Sequence, residues 1–192
     1  SFVTAHCLNS AGVKNSILGG IKTVDHAPGV TDEVIELAKE NGVIFVSTLY
    51  IGRRQIDEGT GAGMEPWVME KGPAQWDPCC KSYKKIHEAG AILAAGTDCM
   101  GTPLLKSGTN ALELELLVKY CDFSPMDAIV AATKNGAMAC FMGDKTGTIE
   151  PGKYADIIIV GGNPLADIKI LQDVEKIKMV ILEGNIEINR GF

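Results

Sequence analysis

Short apolar runs alternate with longer segments of helical period along most of this chain. Phe2 to His6 reads as a strand, Ala11 to Leu18 as a helix closed by Gly19 and Gly20, and Ile21 to His26 as the next strand. Thr31 then opens a helix to about Asn41, with Val34 where a capping box would carry an acid, and Gly42 ends it. Val43 to Leu49 is a third apolar run. The stretch from Tyr50 to Trp76 is polar and Gly-rich with little periodicity, and reads as a long loop of the functional or mobile kind. Asp77 and Pro78 start a helix to about Ala89 by the N-cap and N1 preferences. Gly90 leads into a fourth buried run that stops at Asp98 and is closed by Gly101. Helices follow from Thr109 to Tyr120 and from Ser124 to about Met142.

Strand, helix, strand, helix without hairpin signals predicts an α/β fold of βαβ units with a parallel sheet, and right-handed crossovers put every strand's C-terminal end on one face. The texture changes after about Lys145. Ala155 to Val160, Ile177 to Leu182 and Ile186 to Ile188 read as strands, the last two forming a hairpin around Glu183, Gly184 and Asn185. The expected division is therefore residues 1–145 as one unit and 146–192 as a small β unit.

Composition narrows the function classes. Eighteen basic and 24 acidic residues leave a net charge of −6 without long like-charge blocks. Neither a nucleic-acid footprint nor a basic membrane patch is expected, and a small-molecule substrate remains open. No uninterrupted apolar segment approaches the roughly 18 residues of a membrane span, and no basic region precedes an apolar one at the N-terminus. The six cysteines form neither a CxxC pair nor a dense framework, so free thiols in a reducing, cytoplasmic compartment are expected.

Three residues at predicted strand ends are candidates for chemistry. His6, His26 and Asp98 each close a predicted strand, so a parallel arrangement gathers two imidazoles and a carboxylate on one face, a plausible metal-ligand set. The third histidine, His87, falls inside a helix and reads as a packing residue.

These residues carry a family resemblance. Ala5-His6, Val24-Asp25-His26, Gly96-Thr97-Asp98, the run from Gly108 through Thr109, Asn110, Glu113 and Glu115, and the run from Gly147 to Asp156 with Lys153 inside it follow in an order that resembles the amidohydrolase superfamily. The branch it resembles most is that of metal-dependent Xaa-Pro dipeptidases and imidazolonepropionase-like enzymes. The resemblance implies the C-terminal half of a TIM-type (β/α) barrel followed by strands of a composite β-sandwich domain. It makes His6, His26 and Asp98 the ends of barrel strands five, six and eight, with all three on or beside a divalent metal, zinc by expectation, one or two ions. It further implies hydrolysis of C–N amide bonds in small molecules such as Xaa-Pro dipeptides or N-acyl amino acids. Asp98 would carry the proton, and His26 would act as a ligand or as an electrophilic partner of the carbonyl oxygen.

The chain also departs from the family pattern. It has no His-x-His pair, and it opens at what the resemblance makes strand five, so a C-terminal fragment of a longer enzyme is expected, inactive alone and prone to self-association or to pairing with the missing N-terminal half. Tyr50, Arg53 and Arg54 follow the third strand and could hold a substrate carboxylate, although a solvated basic loop accounts for them equally. Trp67 and Trp76 could wall the pocket or pin the loop. Asn110, Glu113 and Glu115 open a helix, where acids are favoured electrostatically, and they are left off the catalytic set. The competing expectations are a cyclic amide hydrolase or heterocycle deaminase of the same superfamily, or a non-catalytic half-barrel that serves as an interaction unit.

Overall fold

The computed structural model describes residues 2–58, 65–99 and 104–191. Four short apolar runs form parallel strands in the order β1 (Thr4–Cys7), β2 (Thr23–His26), β3 (Ile44–Ser47) and β4 (Leu93–Ala95). The register pairs Ala5 with Val24, Val24 with Phe45, and Phe45 with Leu93, so apolar residues sit beside one another across the sheet. Helices α1 (Ser10–Leu18) and α2 (Asp32–Glu40) connect the first three strands. The Asn9 side chain caps α1 by accepting the Gly12 N–H at 2.8 Å. Val13, Ile17, Val34 and Ile35 from these helices meet Val24, Phe45 and Leu93 in one buried cluster. Burial on this face is what holds strands of three or four residues in place, since each fully buried Val, Ile or Phe contributes about 2 kcal/mol.

The predicted loop from Tyr50 to Trp76 is a correction. Its described residues form two helices, α3 (Leu49–Glu58) and α4 (Pro66–Glu88), and residues 59–64 lie outside the described set. Glycine and proline suggested a loop for reasons that the tertiary structure reverses. Gly52 and Gly72 let the two helices approach closely: a Cβ on Gly52 would touch Trp76 Cε3 at 3.4 Å, and one on Gly72 would collide with the Gln55 side chain. Pro66 occupies the first turn of α4, where its missing N–H costs nothing, while Pro73 and Pro78 interrupt the helix interior at about 3 kcal/mol each. Packing offsets this, because Trp76, Cys80, Tyr83 and Ile86 recur at helical spacing and face the core.

Beyond β4, residues 100–103, which include the expected closing Gly101, lie outside the described residues. Helix α5 (Leu112–Tyr120) follows, then α6 (Pro125–Val130), which begins with a capping box between Ser124 and Asp127. A π-helical turn (Ala131–Asn135) joins α6 to α7 (Gly136–Ala139), and the Asn135 amide donates to the Leu93 carbonyl at 2.8 Å on the outer edge of β4. A separate antiparallel sheet follows in the order β5 (Ile157–Val160), β6 (Ile177–Leu182) and β7 (Asn185–Asn189). Glu183 and Gly184 make its hairpin turn, both at positive φ. The run from Gly147 to Asp156 fastens this sheet. Lys153 donates to the Gly143 carbonyl and the Thr148 hydroxyl, and Asp156 accepts from Thr146 Oγ1 and the Glu183 N–H. Among the described residues no helix is long and apolar enough to cross a membrane.

Candidate active site

The C-terminal ends of β1 to β4 open into a cavity of about 280 Å³ whose lining includes His6, His26 and Asp98. His6 is the third residue of β1, His26 ends β2, and Asp98 lies three residues past β4. The two imidazole rings meet edge to face with centroids 4.5 Å apart. His26 (φ 72°), Ala27 (φ 49°) and Asp98 (φ 54°) are all in the left-handed region, which non-glycine residues rarely adopt. At β2 the turn is held by the Ala27 N–H donating to the Cys7 carbonyl at 3.0 Å. At β4, Gly96 permits it. Its N–H donates to the Ser47 carbonyl at 2.9 Å, and any Cβ there would sit 2.7 Å from Val46 Cγ1.

His26 is fixed from one side. Its Nδ1 lies 2.7 Å from Thr48 Oγ1, and the Thr48 N–H donates to Tyr83 Oη at 3.2 Å. Burial, reinforced by His6, pushes the His26 pKa below its ordinary value, against the pull of Asp98 and Asp25. The ring is therefore mostly neutral at pH 7, and Nε2 is the nitrogen left for a ligand. Burial likewise pushes the neighbouring Cys79 thiol up to about 12, so it is no thiolate ligand or nucleophile near neutral pH.

A buried carboxylate braces the wall of this cavity. Glu113 of α5 is fully buried, and its two oxygens accept the Leu49 and Tyr50 N–H groups at 2.9 and 2.6 Å. Those N–H groups are the orphan donors at the start of α3, so Glu113 fixes that helix at the tip of β3. Burial raises its pKa to about 7, opposed by the two N–H groups. Around it, the Asn110 amide donates to Thr97 Oγ1 at 3.2 Å, and Thr109 Oγ1 lies 2.6 Å from Tyr50 Oη. The Gly108 to Glu113 motif thus ties the end of β4 to the start of α3.

The structure brings His6, His26 and Asp98 together and leaves three other candidates outside the cavity. Tyr50 is fully buried and occupied by Thr109; Arg53 pairs with Asp57 and Arg54 with Glu58. The helical rotation of α3 presents Ile51, Gly52 and Gln55 to the cavity instead. Trp76 does line it, whereas His87 stacks on Phe123 at 4.0 Å with Asp127 beside it. Tyr50 and Arg54 instead line a separate cavity of about 310 Å³ with Lys106 and Gln172; of two larger ones, that of about 520 Å³ reaches Thr97 and Glu113, and that of about 590 Å³ lies between Ala132, Cys140 and Ile158.

Thr48, which lines the cavity, was not singled out in the sequence, and Glu113, set aside there as a helix-start acid, braces the cavity wall. A signal existed for the second: Glu113 shares a helical face with Leu116 and Leu117, at i+3 and i+4, and both leucines are buried. An acid on that stripe is a buried acid.

A divalent ion fits the donor types: two imidazoles, one of them oriented by a hydroxyl and held neutral, and a carboxylate facing the same cavity. Among the described residues, no three His, Cys, Asp or Glu side chains converge closely enough to hold an ion by themselves. His6, His26 and Asp98 therefore amount to a partial set.

Comparison with known proteins gives the chain its relatives. The ochratoxinase of Aspergillus niger is 33% identical over 186 residues, 96% of this chain and 37% of that protein. Its crystal structure superimposes with a TM-score of 0.84 and 31% identity, covering 100% of this chain and 42% of the other. A Xaa-Pro dipeptidase with bound methionine in its active site matches with a TM-score of 0.84 and 30% identity over 96% of this chain and 44% of the other. An imidazolonepropionase of Thermoplasma volcanium is 32% identical over 89 residues, 46% of this chain and 22% of that protein. This chain thus spans less than half the length of these relatives, and its parallel sheet corresponds to about half of a TIM-type barrel. The model of the amidohydrolase family matches residues 1–186, nearly the whole chain, and the protein belongs to that family.

Proposed function

We propose that this chain supplies one side of a hydrolytic site that cleaves C–N amide bonds in small molecules of the N-acyl amino acid or Xaa-Pro dipeptide type. The observation that carries this reading is the meeting of His6, His26 and Asp98 in one cavity at the tips of adjacent parallel strands. His6, His26 and Asp98 are the residues that would hold a divalent ion, zinc by its fit to imidazole and carboxylate donors. Such an ion, when bound, would polarise the scissile carbonyl and acidify the attacking water. Asp98 accepts the proton released as water adds to the carbonyl carbon and delivers it to the leaving nitrogen as the C–N bond breaks. His26, held by Thr48 through Nδ1, has only Nε2 free, which serves either as a ligand to the ion or as the partner of the carbonyl oxygen. His6 and Asp98 are both exposed in this chain, so shielding of the reacting atoms from bulk water would have to come from the rest of the barrel.

The remaining strands of the barrel would pair along the two edges of the sheet, β1 and β4, since closure leaves no edge. The three donors present fall short of a full ligand set, so the 192-residue segment alone is expected to show no appreciable amidase turnover. The free thiols, which include all six cysteines, suit a reducing cytoplasm.

In the complete polypeptide, metal titration should lose stoichiometric binding in His6→Ala and His26→Ala and keep it in His87→Ala. Asp98→Asn should retain most of the metal and lose at least about a hundredfold in kcat, a barrier increase of about 2.7 kcal/mol. Equal metal loss in all three histidine variants, or unchanged kcat in the Asp98→Asn variant, would remove the assignment.

A further inference from the structure

The cavity at the strand tips contains a charge that amide cleavage as described above does not use. Lys71 of α4 is the one Lys or Arg among its described lining residues, and it is exposed. Its ammonium lies 5.3 Å over the ring of Trp67, one turn earlier on the same helix, and among the described residues no carboxylate pairs with it. The two arginines nearby are committed elsewhere. Arg53 is held by Asp57 with its guanidinium 5.9 Å over Trp76, and Arg54 is held by Glu58. The rest of the wall is mainly apolar, from Leu8, Leu49, Ile51 and Trp76, with Gln55 and Gln75 as neutral amides.

This inventory specifies a ligand. Apolar walls suit an apolar side chain, and a single unpaired ammonium on a flexible stem suits one anionic group, for which it makes a charge-assisted hydrogen bond about twice as strong as a neutral one. Asp98 in the same cavity adds a negative charge that disfavours a dianion such as a phosphoryl group. We infer that Lys71 anchors the free carboxylate of the substrate, so that the site selects acylated amino acids with an apolar side chain over the corresponding carboxamides. The cation–π contact with Trp67 parks the ammonium beside the cavity when no ligand is present. The reading of the cavity floor as hydrolytic is taken from the proposed function; the role of Lys71 is tested apart from it.

The test uses a ligand with no cleavable bond, 2-benzyl-4-oxopentanoic acid, in which a methylene replaces the amide N–H of N-acetyl-L-phenylalanine, together with its primary carboxamide. Calorimetric titration of the complete polypeptide should give a Kd for the acid at least tenfold below that for the carboxamide. Lys71→Gln should weaken the acid at least tenfold and alter the carboxamide less than twofold, and Lys71→Arg should keep the preference. Thermal melting of the variants, expected within a degree or two of the parent for an exposed position, separates lost binding from lost folding. A parent protein that binds neither ligand or both equally, or a Lys71→Gln protein that keeps the preference, overturns the inference. Hydrolysis of N-acetyl-L-phenylalanine is scored separately: preferential binding of the acid without cleavage leaves Lys71 as the anchor and removes the hydrolase reading.

Discussion

At the tips of β1 to β4 and in the hairpin of the small antiparallel sheet, the backbone enters the same left-handed region under opposite circumstances. Glu183 and Gly184 do so because a two-residue turn between antiparallel strands demands it, and a side chain on Gly184 would meet nothing within 4 Å. His26 and Asp98 do so because distant parts of the chain hold them there. Cys7 and Thr48 hold His26; the close approach of Gly96 to Ser47 and the tie from Asn110 to Thr97 hold the residues before Asp98. Local turn chemistry makes the hairpin, whereas contacts between residues far apart in the chain make the candidate site. Strain at the second place persists only while its surroundings over-determine it.

Breaking the long-range bracing should therefore have the largest effect. Glu113→Ala strands two buried N–H donors at the start of α3 and is expected to cost about 3 kcal/mol, read as a lower urea midpoint with an unchanged slope. Replacement of Glu115, which is not buried and takes its hydrogen bond from Gln172, should cost far less.

The ionisation of Glu113 sharpens the same contrast. Its pKa is raised on folding from 4.5 to about 7, so the stability it contributes is complete below about pH 4.5 and is lost as pH climbs through about 7. The stability of the parent relative to Glu113→Gln should fall by about 3 kcal/mol across that window. Denaturant melts at about pH 4 and about pH 8, on either side of that window, measure the difference, and a pH-independent gap would mean that the carboxyl group titrates normally.

Gly96→Ala comes next, at about 2 kcal/mol, because the added methyl would press on Val46 and the Ser47 carbonyl. It should also disturb His26 and Asp98, visible as a change in the imidazole resonances of His26. The smallest effect belongs to the hairpin: Gly184→Ala meets open space and carries only the backbone penalty of positive φ, about 1 kcal/mol, with those resonances unmoved. A hairpin substitution that shifted them would show that the two regions are coupled.

How much of this was legible without coordinates follows from the range of the forces involved. The apolar runs at Val24, Phe45 and Leu93, the Ser124 cap and the Glu183-Gly184 turn are written in neighbouring residues, and they appear where periodicity and turn chemistry place them. The alternation of strands and helices sufficed for a parallel sheet, and with it for one face shared by His6, His26 and Asp98. Distance in sequence hid the rest. Gly52, Gly72 and Pro73 resemble loop residues until α3 and α4 are seen pressed together, because a glycine chosen for close packing and one chosen for a turn are spelled alike. Rotation of α3 about its axis put Tyr50 and Arg53 away from the cavity and Gln55 into it, and periodicity could not show this in a stretch read as irregular.

Local pattern thus determined which residues can reach the strand tips, since the direction of a parallel strand and the alternation of its side chains are properties of the segment itself. Tertiary structure alone decided what surrounds them: a neutral His26, a carboxylate at Glu113 whose pKa is raised to about 7, two engaged arginines and one unpaired Lys71. Burial and charge pairing are sums over atoms from α3, α4 and α5 at once, and no single stretch of sequence contains those sums.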